Sequence, residues 1–84
     1  MEITLSKLCP GETGTVLSVR ESPLSGRLRD LGCTEGSRIL FVRAAPLGDP
    51  LAFRIRGALI ALRKKDADTV TVSIGTVPGK GGRL

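Results

Sequence analysis

Arg38-Ile39-Leu40-Phe41-Val42-Arg43-Ala44-Ala45-Pro46-Leu47-Gly48-Asp49-Pro50-Leu51-Ala52-Phe53-Arg54-Ile55-Arg56-Gly57-Ala58-Leu59-Ile60-Ala61-Leu62-Arg63 is the stretch whose pattern decides the fold. Ile39 to Val42 is a continuous apolar run, and such a run is covered on both faces or lies at the centre of a sheet. Ala45 to Pro50 is a loop stiffened by two prolines. From Leu51 to Arg56 the pattern alternates, with Leu51, Phe53 and Ile55 inward and Arg54 and Arg56 outward. Gly57 interrupts it, and Leu59, Ile60 and Leu62 resume. The last two strands therefore form a hairpin or a sharply bent ribbon.

Upstream, Thr13 to Arg20 reads as a strand, and Gly14 inside it marks a bulge or a close backbone approach. Met1 to Leu8 is a short lead-in that ends at the Pro10-Gly11 turn. One helix is expected. Ser22 can cap it with Pro23 in its first position, or it begins at Ser25 or Gly26, since Gly costs about 1 kcal/mol in a helix interior. Leu24, Leu28 and Leu31 share one face, with core packing favoured for Leu24 and Leu31, and Gly32 supplies the left-handed cap. Lys64 to Asp68 is polar and suits one helical turn, and Thr69 to Ile74 is a closing strand. Gly11, Gly32, Gly36 and Gly57 read as turn geometry. The chain is therefore mostly β, a small barrel of five to six short strands with one short helix over residues 1–75. Residues 76–84 read as a Gly-rich, basic, flexible tail.

The chain has 84 residues, no His, Trp or Tyr, and only two Phe. Without His it has no side chain that titrates near neutrality unperturbed, and no convincing base and nucleophile set is present, so an enzyme is not expected. Without Tyr or Trp it lacks the stacking platform of single-strand nucleic-acid binders. Net charge is +5; subtracting Lys80 and Arg83 leaves about +3 on the body, which speaks first to solubility and steering. Cys9 and Cys33 share no ligand spacing and read as small buried apolar residues in a reducing compartment. Asp66 and Asp68 suit a solvated turn better than a cation site. No metal and no cofactor are expected. The N-terminus carries no signal pattern and no segment is long enough to span a bilayer, so the expected location is the cytoplasm.

Two surfaces are candidates for binding a partner. Leu24, Arg27 and Arg29 on the helix, with Arg20 nearby, could face an acidic patch, because the guanidinium fork pairs with carboxylates; the plainer reading is a solvated helix face. Pro46, Leu47, Asp49 and Pro50 form a pre-set loop with a low ordering cost on binding. Asp49 either caps backbone donors within the loop or accepts a partner's Lys or Arg.

Three stretches taken together resemble the FeoA family: Arg27-Leu28-Arg29-Asp30-Leu31-Gly32 with Glu35-Gly36; Ala45-Pro46-Leu47-Gly48-Asp49-Pro50 with its following strand; and Gly57, Leu59, Ala61-Leu62-Arg63, Ala67 and Val70. Leu5 to Gly14 fits as well, so the resemblance covers residues 3–74. Cys33 stands where the family more often has an aliphatic residue. The resemblance implies an SH3-like barrel and no catalytic cofactor. It also implies an accessory role in ferrous-iron uptake, with the GTPase-like cytoplasmic region of a FeoB-type permease as partner at the inner face of the membrane. A monomer or weak homo-oligomer is expected. The alternative is a small basic barrel that binds nucleic acid, in a salt-dependent way.

Overall fold

A computed structural model describes residues 1–74. Its strands are β1 (Glu2–Thr4), β2 (Thr13–Val19), β3 (Arg38–Ala44), β4 (Leu51–Ile55), β5 (Ala58–Leu62) and β6 (Val70–Ser73), with helices α1 (Ser25–Asp30) and α2 (Lys64–Ala67). The strands form one antiparallel sheet in the order β1-β6-β2-β3-β4-β5. The expected tail, 76–84, lies outside the described residues.

Strand β2 curls the sheet. Thr13 to Thr15 pair with β3, while Thr15 to Val19 pair with β6. Of the two readings of Gly14, close approach is the one found, since a Cβ there would sit 2.9 Å from the Val72 Cβ. The bulge falls further on, between Val16 and Ser18. One core lies inside the curl, with Phe53, Ile39 and Ile55 from the central strands, Val16, Val70 and Val72 from the other half, and Leu5 and Leu8 beneath. The Phe41 and Phe53 rings pair across β3 and β4 at 5.2 Å with a 36° tilt, an offset geometry worth roughly 1 kcal/mol beyond its buried area.

Strand β3 is central, flanked by β2 and β4, but is not covered on both faces. Ile39 and Phe41 are buried while Leu40 and Val42 are half-buried, because no layer packs on the outside of the curl there. The β4–β5 hairpin turns on Arg56 and Gly57 with φ of 51° and 83° and closes on the Ile55–Ala58 pair. Two positive values at a two-residue turn define type I′, whose twist matches the strands. Arg56 is held there as its Nη2 donates to the Thr34 and Ser37 hydroxyls, each at 3.3 Å.

Of the expected starts at Pro23, Ser25 and Gly26, helix α1 takes Ser25, and Pro23 lies in the turn before it. This changes which residue is buried. Ser25 is 3% exposed, its hydroxyl shared between the Ser22 carbonyl and a Glu21 carboxylate oxygen, while Leu24 is 38% exposed. The helix ends in a Schellman motif. Cys33 N–H donates to the Leu28 carbonyl at 2.9 Å and Gly32 N–H to that of Arg29 at 3.0 Å. Leu28 and Cys33, the residues this motif brings together, are both buried. Gly32 has φ 113°, and a Cβ on it would lie 2.7 Å from Ile55 Cγ2. Gly11 and Gly36 also take positive φ, at their turns.

Three readings of the sequence need correcting. The lead-in is an edge strand, β1, followed by a 3₁₀ turn at Leu5–Lys7. The helical turn expected at Lys64 to Asp68 forms, as α2, so the described residues hold two short helices rather than one. Cys9 is exposed rather than buried, because it sits on the turn before β2; Cys33 is buried, and both are free.

Adding a methyl group at glycine tests this geometry. Gly32→Ala combines positive φ with overpacking and should cost about 2–4 kcal/mol, whereas Gly36→Ala meets open space and should cost about 1 kcal/mol. Gly26→Ala, in open space at ordinary helical φ, should stabilise by about 1 kcal/mol; urea denaturation measures all three. Burial raises the Cys33 thiol above its ordinary pKa, so a thiol reagent should label Cys9 alone in the native protein and both cysteines in denaturant.

Candidate functional site

The two candidate surfaces lie on either side of strand β5. Ala61 lines a groove of about 150 Å³ with Leu24, Arg27, Leu31, Arg63 and Asp66. It also lines a shallower hollow of about 350 Å³ with Arg43, Pro46, Pro50 and Ala52. The helix candidates Leu24 and Arg27 and the loop candidates Pro46 and Pro50 are thus joined through one small side chain on an edge strand. Of the four large exposed apolar residues, Met1 at 80% lies at the far edge of the sheet, while Leu24 at 38% lines the groove, Leu59 at 53% is on β5 and Leu47 at 97% is on the loop next to Pro46.

The loop is rigid for reasons visible in its hydrogen bonds. Ala45 N–H donates to the Pro50 carbonyl at 2.9 Å and Gly48 N–H to the Ala45 carbonyl at 2.7 Å. Asp49 takes the structural role, with a donor outside the loop. Its Oδ1 accepts the Lys64 N–H at 3.0 Å, and Arg63 approaches its other oxygen at 3.8 Å. Lys64 is the first residue of α2, whose N-cap Arg63 offers no side-chain cap, so Asp49 satisfies an orphan helix donor from a distance. This leaves Leu47 at the apex, held out by a braced loop.

The arginines do not form one patch. Arg29 pairs with Glu21 at 3.0 Å, and its hydrogen bond, followed by that of the Ser25 hydroxyl, holds the Glu21 carboxyl below its usual range. Arg29 borders a hollow with Ser18, Cys33 and Glu35, while Arg27, two residues away and so on nearly the opposite side of the helix, borders the β5 groove. Leu59 and Ala61 were absent from the sequence candidates. The signal for them was present in Ala58 to Leu62, five apolar residues without the polar alternation of a half-buried strand. Of the two acidic residues considered for a cation, Asp68 accepts the Ser6 hydroxyl and Asp66 borders the β5 groove. Among the described residues no three His, Cys, Asp or Glu gather in a metal-binding arrangement, and no helix is long and apolar enough to cross a membrane.

A curled six-stranded sheet with an apolar, arginine-bearing flank defines a small barrel module with a candidate docking surface. Comparison with known proteins gives the family. The FeoA domain model matches residues 3–74, and the chain belongs to the FeoA family, accessory domains of ferrous-iron transport. The FeoA protein of Chlorobium tepidum has a solution structure with a TM-score of 0.80 and 35% identity, covering 92% of this chain and 82% of that one. The zinc-complexed FeoA of Stenotrophomonas maltophilia, described as an SH3 domain protein, gives 0.78 and 32% over 84% of this chain and 89% of that one. The fold is therefore SH3-like, a barrel left open between β1 and β5. A Porphyromonas gingivalis protein, a fusion of Fe(2+) transport protein A with the Fe(2+) transporter FeoB, is 31% identical over 71 residues, 83% of this chain and 8% of that protein. The chain thus spans under a tenth of that relative's length.

Removing the loop brace should be measurable. Asp49→Ala should cost about 1 kcal/mol of stability, and Asp49→Asn, which can still accept the Lys64 N–H, less than half of that; thermal unfolding of the three proteins checks it.

Proposed function

We propose that this chain is a non-enzymatic regulator that docks on the cytoplasmic, GTPase-like region of a FeoB-type ferrous-iron permease. The observation that supports this reading best is the fusion relative, in which a homologous segment and a FeoB transporter share one polypeptide. A covalent link raises effective concentration and is of use when the two parts act on one another. Iron is carried by the permease, and the barrel contributes a surface.

The flank around β5 suits that task. Leu47 is an exposed anchor on a loop already in place, so its ordering cost on binding is low. Leu24 borders a groove that a partner's apolar side chain can fill. Arg27 has no carboxylate within ion-pair distance among the described residues and is available to a partner's acid. Steering by such charges acts mainly on the association rate. Arg29, already paired with Glu21, contributes less.

The test is binding of the purified chain to its own organism's permease, both as the soluble cytoplasmic domain and as the whole protein in detergent. Leu47→Asp and Arg27→Glu should each weaken binding tenfold or more, about 1.4 kcal/mol, and Arg29→Glu less. Absence of binding to both forms at high micromolar concentration would sink the proposal.

A further inference from the structure

We infer that the free edge of β5 receives an extended acidic segment of a partner protein as an added strand. This goes beyond the docking proposal by specifying how recognition occurs, and it does not depend on the partner being a permease. Strand β5 is last in the sheet order. Its turn closes on the Ile55–Ala58 pair, and in a two-residue hairpin that pair exchanges both hydrogen bonds. By alternation, Phe53–Ile60 and Leu51–Leu62 do the same, whereas the Arg54–Leu59 and Ala52–Ala61 pairs do not. Leu59 and Ala61 therefore turn their N–H and C=O away from the sheet, and none of these groups finds a backbone partner among the described residues.

This edge lacks the usual defences. Natural edge strands are kept from pairing by charge, proline, bulges or shortness. Ala58-Leu59-Ile60-Ala61-Leu62 has no charge and no proline, and its pairing with β4 is regular. The opposite edge, β1, is a three-residue strand carrying Glu2. Access is open, since Leu59 is 53% exposed and Ala61 lines both hollows.

Charge selects the occupant. Arg54 is the cross-strand neighbour of Leu59, Arg56 is exposed in the turn, and Arg27 and Arg63 line the groove. Against them stand Asp66 in the groove and Asp49, which is occupied by Lys64 and Arg63. A second copy would set like charges against one another, whereas a strand alternating acidic and apolar residues meets arginine and apolar groups in turn.

The probe is a short capped peptide alternating Glu with Val, titrated into the isotope-labelled protein and read by amide hydrogen exchange. Exchange at Leu59 and Ala61 should slow tenfold or more, while Ile60, already bonded to β4, changes little. Ala61→Pro removes one outward donor without breaking a ladder bond and should abolish the effect. Arg54→Glu, which leaves the edge backbone intact, should weaken peptide binding at least tenfold. The inference is overturned if the peptide fails to bind, if it binds without protecting Leu59 and Ala61, or if a Lys–Val peptide binds as well. It is equally overturned if the two amides become protected with rising protein concentration alone, which would make the occupant a second copy.

Discussion

Strand β2 pairs with β3 through its first residues and with β6 through its last, and the bend between those pairings needs a position without a side chain. Gly14 supplies it, against Val72. A chain of this size buries only roughly 60% of the surface its unfolded form exposes, so a flat sheet would leave the core wet. Curling the sheet brings Val16, Val70 and Val72 onto Ile39, Phe53 and Ile55 in one cluster. A second contact fixes what lies outside the curl. Gly32 ends α1 in a left-handed conformation directly on Ile55 of β4, which sets the helix beside the β4–β5 hairpin. The groove between α1 and β5 follows from that approach.

The inward set of Leu51, Phe53 and Ile55, the Gly57 turn and the Gly32 cap were legible because period-two alternation and positive φ leave direct marks on residue choice. The start of α1 was ambiguous, since Ser22-Pro23 and Ser25 are both reasonable beginnings. The outcome moved Leu24 from core to surface and put a serine inside, a reversal that hydrophobic periodicity cannot show when a buried hydroxyl has local acceptors. Cys9 was misplaced because burial statistics for cysteine say nothing of a turn. The donor for Asp49 lies far along the chain at Lys64, and such a pairing exists only once the fold is formed. Leu59 and Ala61 were read as strand residues, and their exposure follows from β5 being the last strand, a fact of topology.

The candidate surface carries few features, which accords with a chain lacking histidine, tryptophan and tyrosine. Its anchor, Leu47, projects from a loop braced by its own hydrogen bonds and by Asp49. Its arginine, Arg27, is unspent, whereas Arg29 is engaged by Glu21. Its central element, β5, offers backbone groups as well as side chains. In the proposed function this surface meets the transporter, and pre-organisation gives a reason why so small a face can serve.

In the proposed function the barrel acts through this flank on ferrous-iron uptake. Uptake of radiolabelled ferrous iron by cells lacking the chain, at matched permease abundance, addresses it most directly. Uptake should fall, be restored by the natural sequence, and not be restored by a stably folded variant carrying Leu24→Asp, Arg27→Glu and Leu47→Asp. Uptake unchanged by the deletion, or fully restored by that variant, would contradict it.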